Sequence, residues 1–445
     1  MKVEKDVIRN MSKILRLCMF SILFCLSAMS KAEAIDSTIY KKVSYAIENP
    51  TYTNVIDAYD LIVKGRSHNI KDKEHSFETI RQYLQNDEIA IEIIAMPKSI
   101  SQTLYYAFAI RKQYDAPHIV YLFDEKDLDS ELNKGSSFFS DTKMSSMLIE
   151  PLREELTGVK KIYFTPAKKL HLFAIEYCNV DDRVMLAEKY QLYRLTSSAI
   201  LTHRRKQRIL YDSYAIYGGI DYDAIPEFEE KYDGESMKFQ LGYLHDSYLA
   251  AIDIDSFLTG EGLHGSFYAN EEATELSFKE LSQKDIKVFF IETHGVNDSK
   301  QSVTPYPNSL MFSSSAYIMS GGIVPPEYED GLLTSDEIAT LNLSSMDLAV
   351  ISACKSALGD IDWKGVDGLM SAFKTAGVNS LVMVTDDVVD YVSGEVWKSF
   401  FRNLIRGMSM RESLLNAIKK TRSSQNGFYS SPKYWTPYIL IDGIN

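Results

Sequence analysis

The second half of the chain alternates short continuous apolar runs with longer amphipathic stretches. The runs Val288–Thr293, Leu348–Ala353 and Ser380–Val384 have the length of strands buried on both faces. Between and after them, Ser335–Leu341, Val366–Ala376, Val389–Leu404 and Met410–Thr421 carry apolar residues at three-to-four spacing and are expected to be helices, and Tyr438–Ile441 is expected to close the unit as a last strand. That alternation predicts an α/β fold with a mostly parallel sheet covered on both faces. The first half is more mixed. Residues from Asp36 to about Leu84 read as helical, with Ile56, Tyr59, Ile62 and Val63 on one face, and no repeat of about 34 residues is visible. Strands are expected at Ile89–Ala95, Tyr105–Ile110 and Ile119–Phe123, and a helix around Met144–Leu156. A hairpin is expected from Lys161–Phe164 and Leu170–Tyr177, turning at Pro166–Lys169.

The N-terminus departs from this globular pattern. Lys2, Lys5, Arg9, Lys13 and Arg16 precede the apolar run Leu17–Leu26, which is too short for a membrane span, and Ala32-Glu33-Ala34 supplies a small-x-small cleavage pattern. Residues 1–34 therefore read as a signal peptide, and the expected location is periplasmic or secreted from a bacterium-like cell, with no membrane span after signal removal. That segment holds six of the 48 Lys and Arg and three of the 61 Asp and Glu, so the remaining 411 residues carry a formal charge of −16. Such an acidic surface argues against nucleic acid or anionic membrane as a partner. Hydrophobic residues make up 45% of the chain, with 28 tyrosines, which is ample for a large core and two or three domains. Of four cysteines, Cys18 and Cys25 leave with the signal. Cys178 then ends the strand-like run Ile175–Tyr177, and Cys354 stands at a strand-to-loop junction.

In a doubly covered sheet, ligands bind at the carboxyl ends of the strands. His294-Gly295 and Cys354 follow two such strands directly. A cysteine nucleophile works as its thiolate, which a neighbouring imidazole promotes by taking the proton. The acyl intermediate needs donors aimed at its oxyanion. Gly295, lacking a Cβ, lets its N–H approach closely, and the N–H of Cys354 supplies a second donor. Taken singly, a histidine at a strand end or a cysteine after an apolar strand signals little; the pair on two strands of one sheet points to a base and a nucleophile. Metal-ligand spacing, a phosphate-binding glycine loop and a serine elbow are absent from the sequence, so no cofactor is expected.

In order along the chain stand Thr293-His294-Gly295, Gly331-Leu332-Leu333-Thr334-Ser335-Asp336-Glu337-Ile338, Ser352-Ala353-Cys354, Gly365, Gly368-Leu369, Ala372-Phe373, Ala376-Gly377, Tyr434-Trp435 and Gly443. With Ile162-Tyr163-Phe164, Ala174–Tyr177 and Tyr217–Tyr222 ahead of them, these motifs resemble the CHAT domain, a branch of the caspase-like cysteine peptidases that includes separases and gingipains. The resemblance implies a caspase-like α/β/α sandwich whose first half is a degenerate counterpart of the second. It divides the chain into a short helical segment at 35–85, a pseudo-caspase lobe at 86–225 and a catalytic lobe at 226–445. It makes His294 the general base, Cys354 the nucleophile, Gly295 an oxyanion donor, and a protein or peptide the substrate. Two departures stand out. Ser356-Ala357 replace a Thr-Gly pair after the cysteine, and Asp386 replaces a tryptophan at the strand end that borders the substrate pocket. Asp386 with Asp387 would favour Lys or Arg before the scissile bond. The cluster Arg204-Arg205-Lys206 is then a candidate self-cleavage site. The competing function classes are a peptidase-like binding module that has lost turnover, and an envelope structural protein that keeps only the fold.

Overall fold

The computed structural model describes residues 37–67, 75–99, 101–203, 211–226, 241–296, 306, 308–357, 359–362, 364–424 and 427–444. The expected signal segment 1–34 and the cluster Arg204-Arg205-Lys206 lie outside the described residues.

Eleven strands form one sheet. In chain order they are β1 Glu88–Ser99, β2 Gln102–Ile110, β3 His118–Asp124, β4 Lys161–Thr165, β5 Gln191–Arg194, β6 Ser213–Ile220, β7 His264–Asn270, β8 Val288–Glu292, β9 Leu348–Ser352, β10 Ser380–Val384 and β11 Tyr438–Ile441. Their spatial order is β3-β2-β1-β4-β5-β11-β10-β9-β8-β6-β7. Strands β7, β6, β8, β9 and β10 pair in parallel. Strand β11 is antiparallel to β10 yet parallel to β5, and β5, β4 and β1 are again parallel to one another. The two parallel sets therefore run in opposite directions, and their carboxyl ends emerge on opposite edges of the sheet. Strand β6, which a boundary at 225 assigns to the first lobe, lies among the strands of the second half.

The continuous apolar runs are explained by burial on both faces. Along β8, Phe289 meets Phe278 and Phe373, at ring separations of 5.1 and 6.5 Å, on one face. Its neighbour Phe290 meets Trp397 and Phe401, at 6.2 and 5.5 Å, on the other, because successive side chains of a strand alternate. Phe373 belongs to the helix Leu369–Thr375, and Trp397 and Phe401 to Asp390–Ile405, which also packs on His245–Gly260. Along β1, Ile89, Ile91 and Ile93 enter the main core. The alternate residues Ala90 and Ile94 enter a second core with Tyr59 and Phe77, carried by the helices Tyr52–Arg66 and Phe77–Arg81. The glycine pair before the site is required by geometry. Gly219 has φ +66°, and a Cβ there would lie 2.5 Å from Tyr248 Cδ2.

Three local expectations are corrected. The hairpin after Lys161 does not form: β4 pairs in parallel on both sides, and the expected return strand is two short 3-10 turns, Lys168–His171 and Ile175–Tyr177. Arg194 explains this, donating to Leu170 O and Phe173 O at 3.4 and 2.9 Å and pairing with Glu176 at 2.8 Å, so those carbonyls are satisfied without a ladder. Cys178 consequently follows a turn rather than ending a strand; it and Cys354 are both free thiols. The helix expected from Val366 begins only at Leu369, since Val366–Gly368 pairs with Gly359–Ile361 as a small hairpin.

Candidate active site

Strands β8 and β9 are paired in register, with Glu292 opposite Ser352. The ladder continues one step through Thr293 N to Ser352 O at 3.0 Å. His294 and Cys354 each stand two residues beyond that matched pair, at the carboxyl ends of adjacent parallel strands. Both are half-buried.

His294 is held from three sides. Its backbone N–H donates to Tyr222 Oη at 3.3 Å, and its ring lies 4.9 Å from the Tyr222 ring. Tyr222 Oη also shares a 3.1 Å hydrogen bond with Thr293 Oγ1. On the ring itself, Nε2 lies 2.8 Å from Gly242 O. A carbonyl only accepts, so Nε2 carries the proton and Nδ1 keeps the lone pair. The next residues, Gly295–Val296, start a three-stranded sheet with Ser309–Met311 and Leu332–Thr334. Gly295 stands against the cysteine segment, where a Cβ would lie 3.3 Å from Ala353 Cβ and 3.5 Å from Cys354 O.

The loop after Cys354 turns sharply. Lys355 has φ 57°, in the left-handed region. Ser356 Oγ then donates to Ile351 O at 3.0 Å and accepts from Val384 N at 3.1 Å, fastening the turn to β10. Burial pushes the Cys354 thiol above its ordinary value; Asp387 adds to the rise, while the Val388 backbone and Lys355 oppose it. No hydrogen bond joins His294 to Cys354 among the described residues.

The two expected pocket acids differ. Asp387 lies beside the thiol but is exposed and paired with Lys355 at 3.1 Å. Asp386 is exposed and turns back on its own loop, where Oδ1 accepts from Asp387 N at 2.8 Å. Of the expected site residues, the fold brings His294, Gly295, Cys354 and Asp387 to one strand edge and leaves Asp386 at its rim.

A CHAT-domain model matches residues 141–442, more than half of the chain. The chain belongs to the CHAT family. It is 29% identical over 139 residues to mouse (Mus musculus) tetratricopeptide repeat protein 28, a match covering 31% of this chain and 6% of that protein. The fold is similar to separase in the Saccharomyces cerevisiae separase–securin complex, with a TM-score of 0.50 at 10% identity, covering 87% of this chain and 34% of that chain. A further similar structure is the Arg-specific cysteine proteinase gingipain R, with a TM-score of 0.42 at 9% identity, covering 71% of this chain and 74% of that one. This chain thus spans a small part of the curated relative and about a third of separase. The separase likeness places the CHAT chain in the caspase-like fold.

Several residues at this CHAT site escaped the sequence reading. Gly242 reaches His294 only through folding and its position carries no chemical signal, while Tyr222 was legible only as the end of the motif Tyr217–Tyr222. Glu292 did carry one, a carboxylate inside the apolar run Val288–Thr293. It is fully enclosed, and burial, reinforced by Asp390, pushes its carboxyl up to about 8. Elsewhere, Glu275, Glu329 and Glu337 lie close enough together to share a cation, and Lys279 Nζ fills that role at 2.8, 2.5 and 2.9 Å. A cleft of about 1630 Å³ is also remote from the dyad. His171, Arg194 and Lys374 line it at the other edge of the sheet, where β4 and β5 end, and neither His294 nor Cys354 does. No cysteine lines that cleft among its described residues. No helix among the described residues is long and apolar enough to cross a membrane.

Proposed function

We propose that this chain is an exported cysteine endopeptidase in which His294 is the general base and Cys354 the nucleophile. The observation that carries the reading is the matched offset of His294 and Cys354 beyond the paired residues Glu292 and Ser352. Proton transfer to Nδ1 produces the thiolate, which attacks the scissile carbonyl and forms a thioacyl intermediate. His294 then returns the proton to the leaving amine, and water releases the acid by the same base. The N–H groups of Gly295 and Cys354 receive the oxyanion, and the Gly242 carbonyl stabilises the imidazolium through Nε2–H. Catalysis needs Nδ1 to close on the thiol, and substrate binding supplies that closure.

Asp387, beside the thiol, is the group that receives a Lys or Arg before the scissile bond, and it must first release Lys355. Arg204-Arg205-Lys206 is the segment this preference nominates for self-cleavage. The N-terminal segment 1–34 directs export to the periplasm or beyond. Wild type and Cys354→Ala are compared on a diverse peptide library, with mass spectrometry of the protein itself. Cleavage after basic residues that disappears in the variant supports the reading. Cleavage without that preference removes the role of Asp387, and no cleavage by wild type removes the peptidase.

The second reading, a peptidase-like module that binds protein without cutting it, is favoured by the raised Cys354 thiol and its missing hydrogen bond to His294. It predicts equal alkylation of Cys354 in wild type and His294→Ala.

A further inference from the structure

Two segments that border the site each send a serine to Glu292, the residue two positions before His294. Ser352, two positions before Cys354, donates from Oγ to Glu292 Oε1 at 3.1 Å and receives Trp397 Nε1–H at 2.9 Å. Ser393, just beyond the Asp386–Val389 loop, meets the same carboxyl oxygen. Ser247, five residues after Gly242, donates instead to Asp390, on the helix that carries Ser393. The other Glu292 oxygen, Oε2, is buried with no partner.

The proton count and the surroundings both bear on the state of this carboxyl. Ser393 has one hydroxyl proton, and its Oγ lies 2.9 Å from Asp390 O, a carbonyl that can only accept. Ser393 thus has one proton for two acceptors, an arrangement that a proton on the carboxyl would satisfy. We propose that Glu292 is the positioning residue of this site, a neutral carboxylic acid whose hydrogen bonds tie together the segments carrying His294, Cys354 and the Asp386–Val389 loop. The inference rests on His294 and Cys354 being the reacting pair. The titratable groups that face Glu292 are Asp390 at the start of its helix, Tyr222 after β6 and Tyr438 on β11, and none of them carries positive charge. Ionisation would thus place an unpaired charge under both strand ends.

An acid whose pKa rises on folding stabilises the protein fully below its unfolded value of 4.5, and that contribution is lost as pH rises through about 8. The test compares wild type, Glu292→Gln and Glu292→Ala in two measurements: thermal midpoint from pH 5 to 9, and the rate at which iodoacetamide labels Cys354 at pH 7. Glutamine keeps an uncharged acceptor and donor. Its midpoint is expected to gain about 5 °C on wild type between pH 5 and 9, with labelling within about twofold; alanine should slow labelling about tenfold. Parallel midpoint curves for wild type and Glu292→Gln would overturn the neutral acid, and an alanine variant labelled at the wild-type rate would overturn the positioning role. If alanine does not fold, the glutamine curve alone decides. His294→Ala, run alongside, tests the dyad separately: labelling unchanged there defeats the peptidase reading, whatever the Glu292 curves show.

Discussion

Glu292 and Ser352 face each other across two parallel strands, and the side chains two steps beyond them are His294 and Cys354. The matched register brings an imidazole and a thiol to one edge of the sheet from positions sixty residues apart. Their present partners are other groups, Gly242 O for the ring and the Asp387–Val388 loop for the thiol. The site is therefore assembled but not closed, and the following outcomes distinguish a working dyad from an inert pair.

On the proposed dyad, replacing His294 by alanine removes the base. Peptide hydrolysis is expected to fall by roughly 10²–10⁴-fold, and alkylation of Cys354 at neutral pH to slow in parallel. Steady-state cleavage together with labelling kinetics checks this, and equal labelling in both proteins contradicts it.

Asp387 and Lys355 act on the thiol with opposite signs. A nearby carboxylate disfavours the thiolate, so Asp387→Asn should move the alkylation profile of Cys354 to lower pH. Lys355→Ala should move it to higher pH. Shifts in the same direction would show that the loop rearranges instead of acting through charge.

Two glycines near the site should respond differently. At Gly219, φ +66° and a Cβ 2.5 Å from Tyr248 make alanine strained and crowded. The expected loss is about 2–4 kcal/mol in urea denaturation. At Gly295 the nearest atom to a Cβ is at 3.3 Å, so alanine should cost less than about 1 kcal/mol. Turnover should nevertheless drop, because the added methyl faces Ala353 and Cys354. A Gly295→Ala enzyme with full turnover would exclude that backbone from the oxyanion site.

Lys279 neutralises the enclosed Glu275 and holds Glu329 and Glu337 beneath the three-stranded sheet that begins at Gly295. Burial holds the Glu275 carboxyl up at about 8, so Lys279→Met leaves a buried carboxylate without its cation only above that value and should cost about 3 kcal/mol at pH 9. The loss should shrink at pH 5, where Glu275 can take up a proton. Denaturation midpoints at the two pH values measure the difference, and a loss independent of pH would assign the effect to packing alone.

Much of the fold was legible because its strands are buried on both faces. Val288–Glu292, Leu348–Ser352 and Ser380–Val384 are continuous apolar runs, and the structure places them side by side in a mostly parallel sheet. The helices from Asp390 and Met410 announce themselves by amphipathic spacing. The turns after Lys161 did not, since Leu170–Tyr177 has the composition of a strand and is diverted by Arg194, a residue of the next strand. The reversal between the two parallel sets was equally hidden, because it depends on β11 returning from the C-terminus to lie between β5 and β10.

By itself the sequence determined which residues end the buried strands, and so placed His294, Gly295 and Cys354 at the strand edge, because the pattern of apolar runs is a local property. Only the tertiary structure decided their surroundings. It chose Gly242 as the partner of the imidazole, set Asp387 against both Lys355 and the thiol, turned Asp386 aside, and gathered Ser352 and Ser393 around Glu292. These are hydrogen bonds and charge contacts between segments remote in sequence. Their partners follow from sheet order and helix packing, which no local pattern of residues encodes.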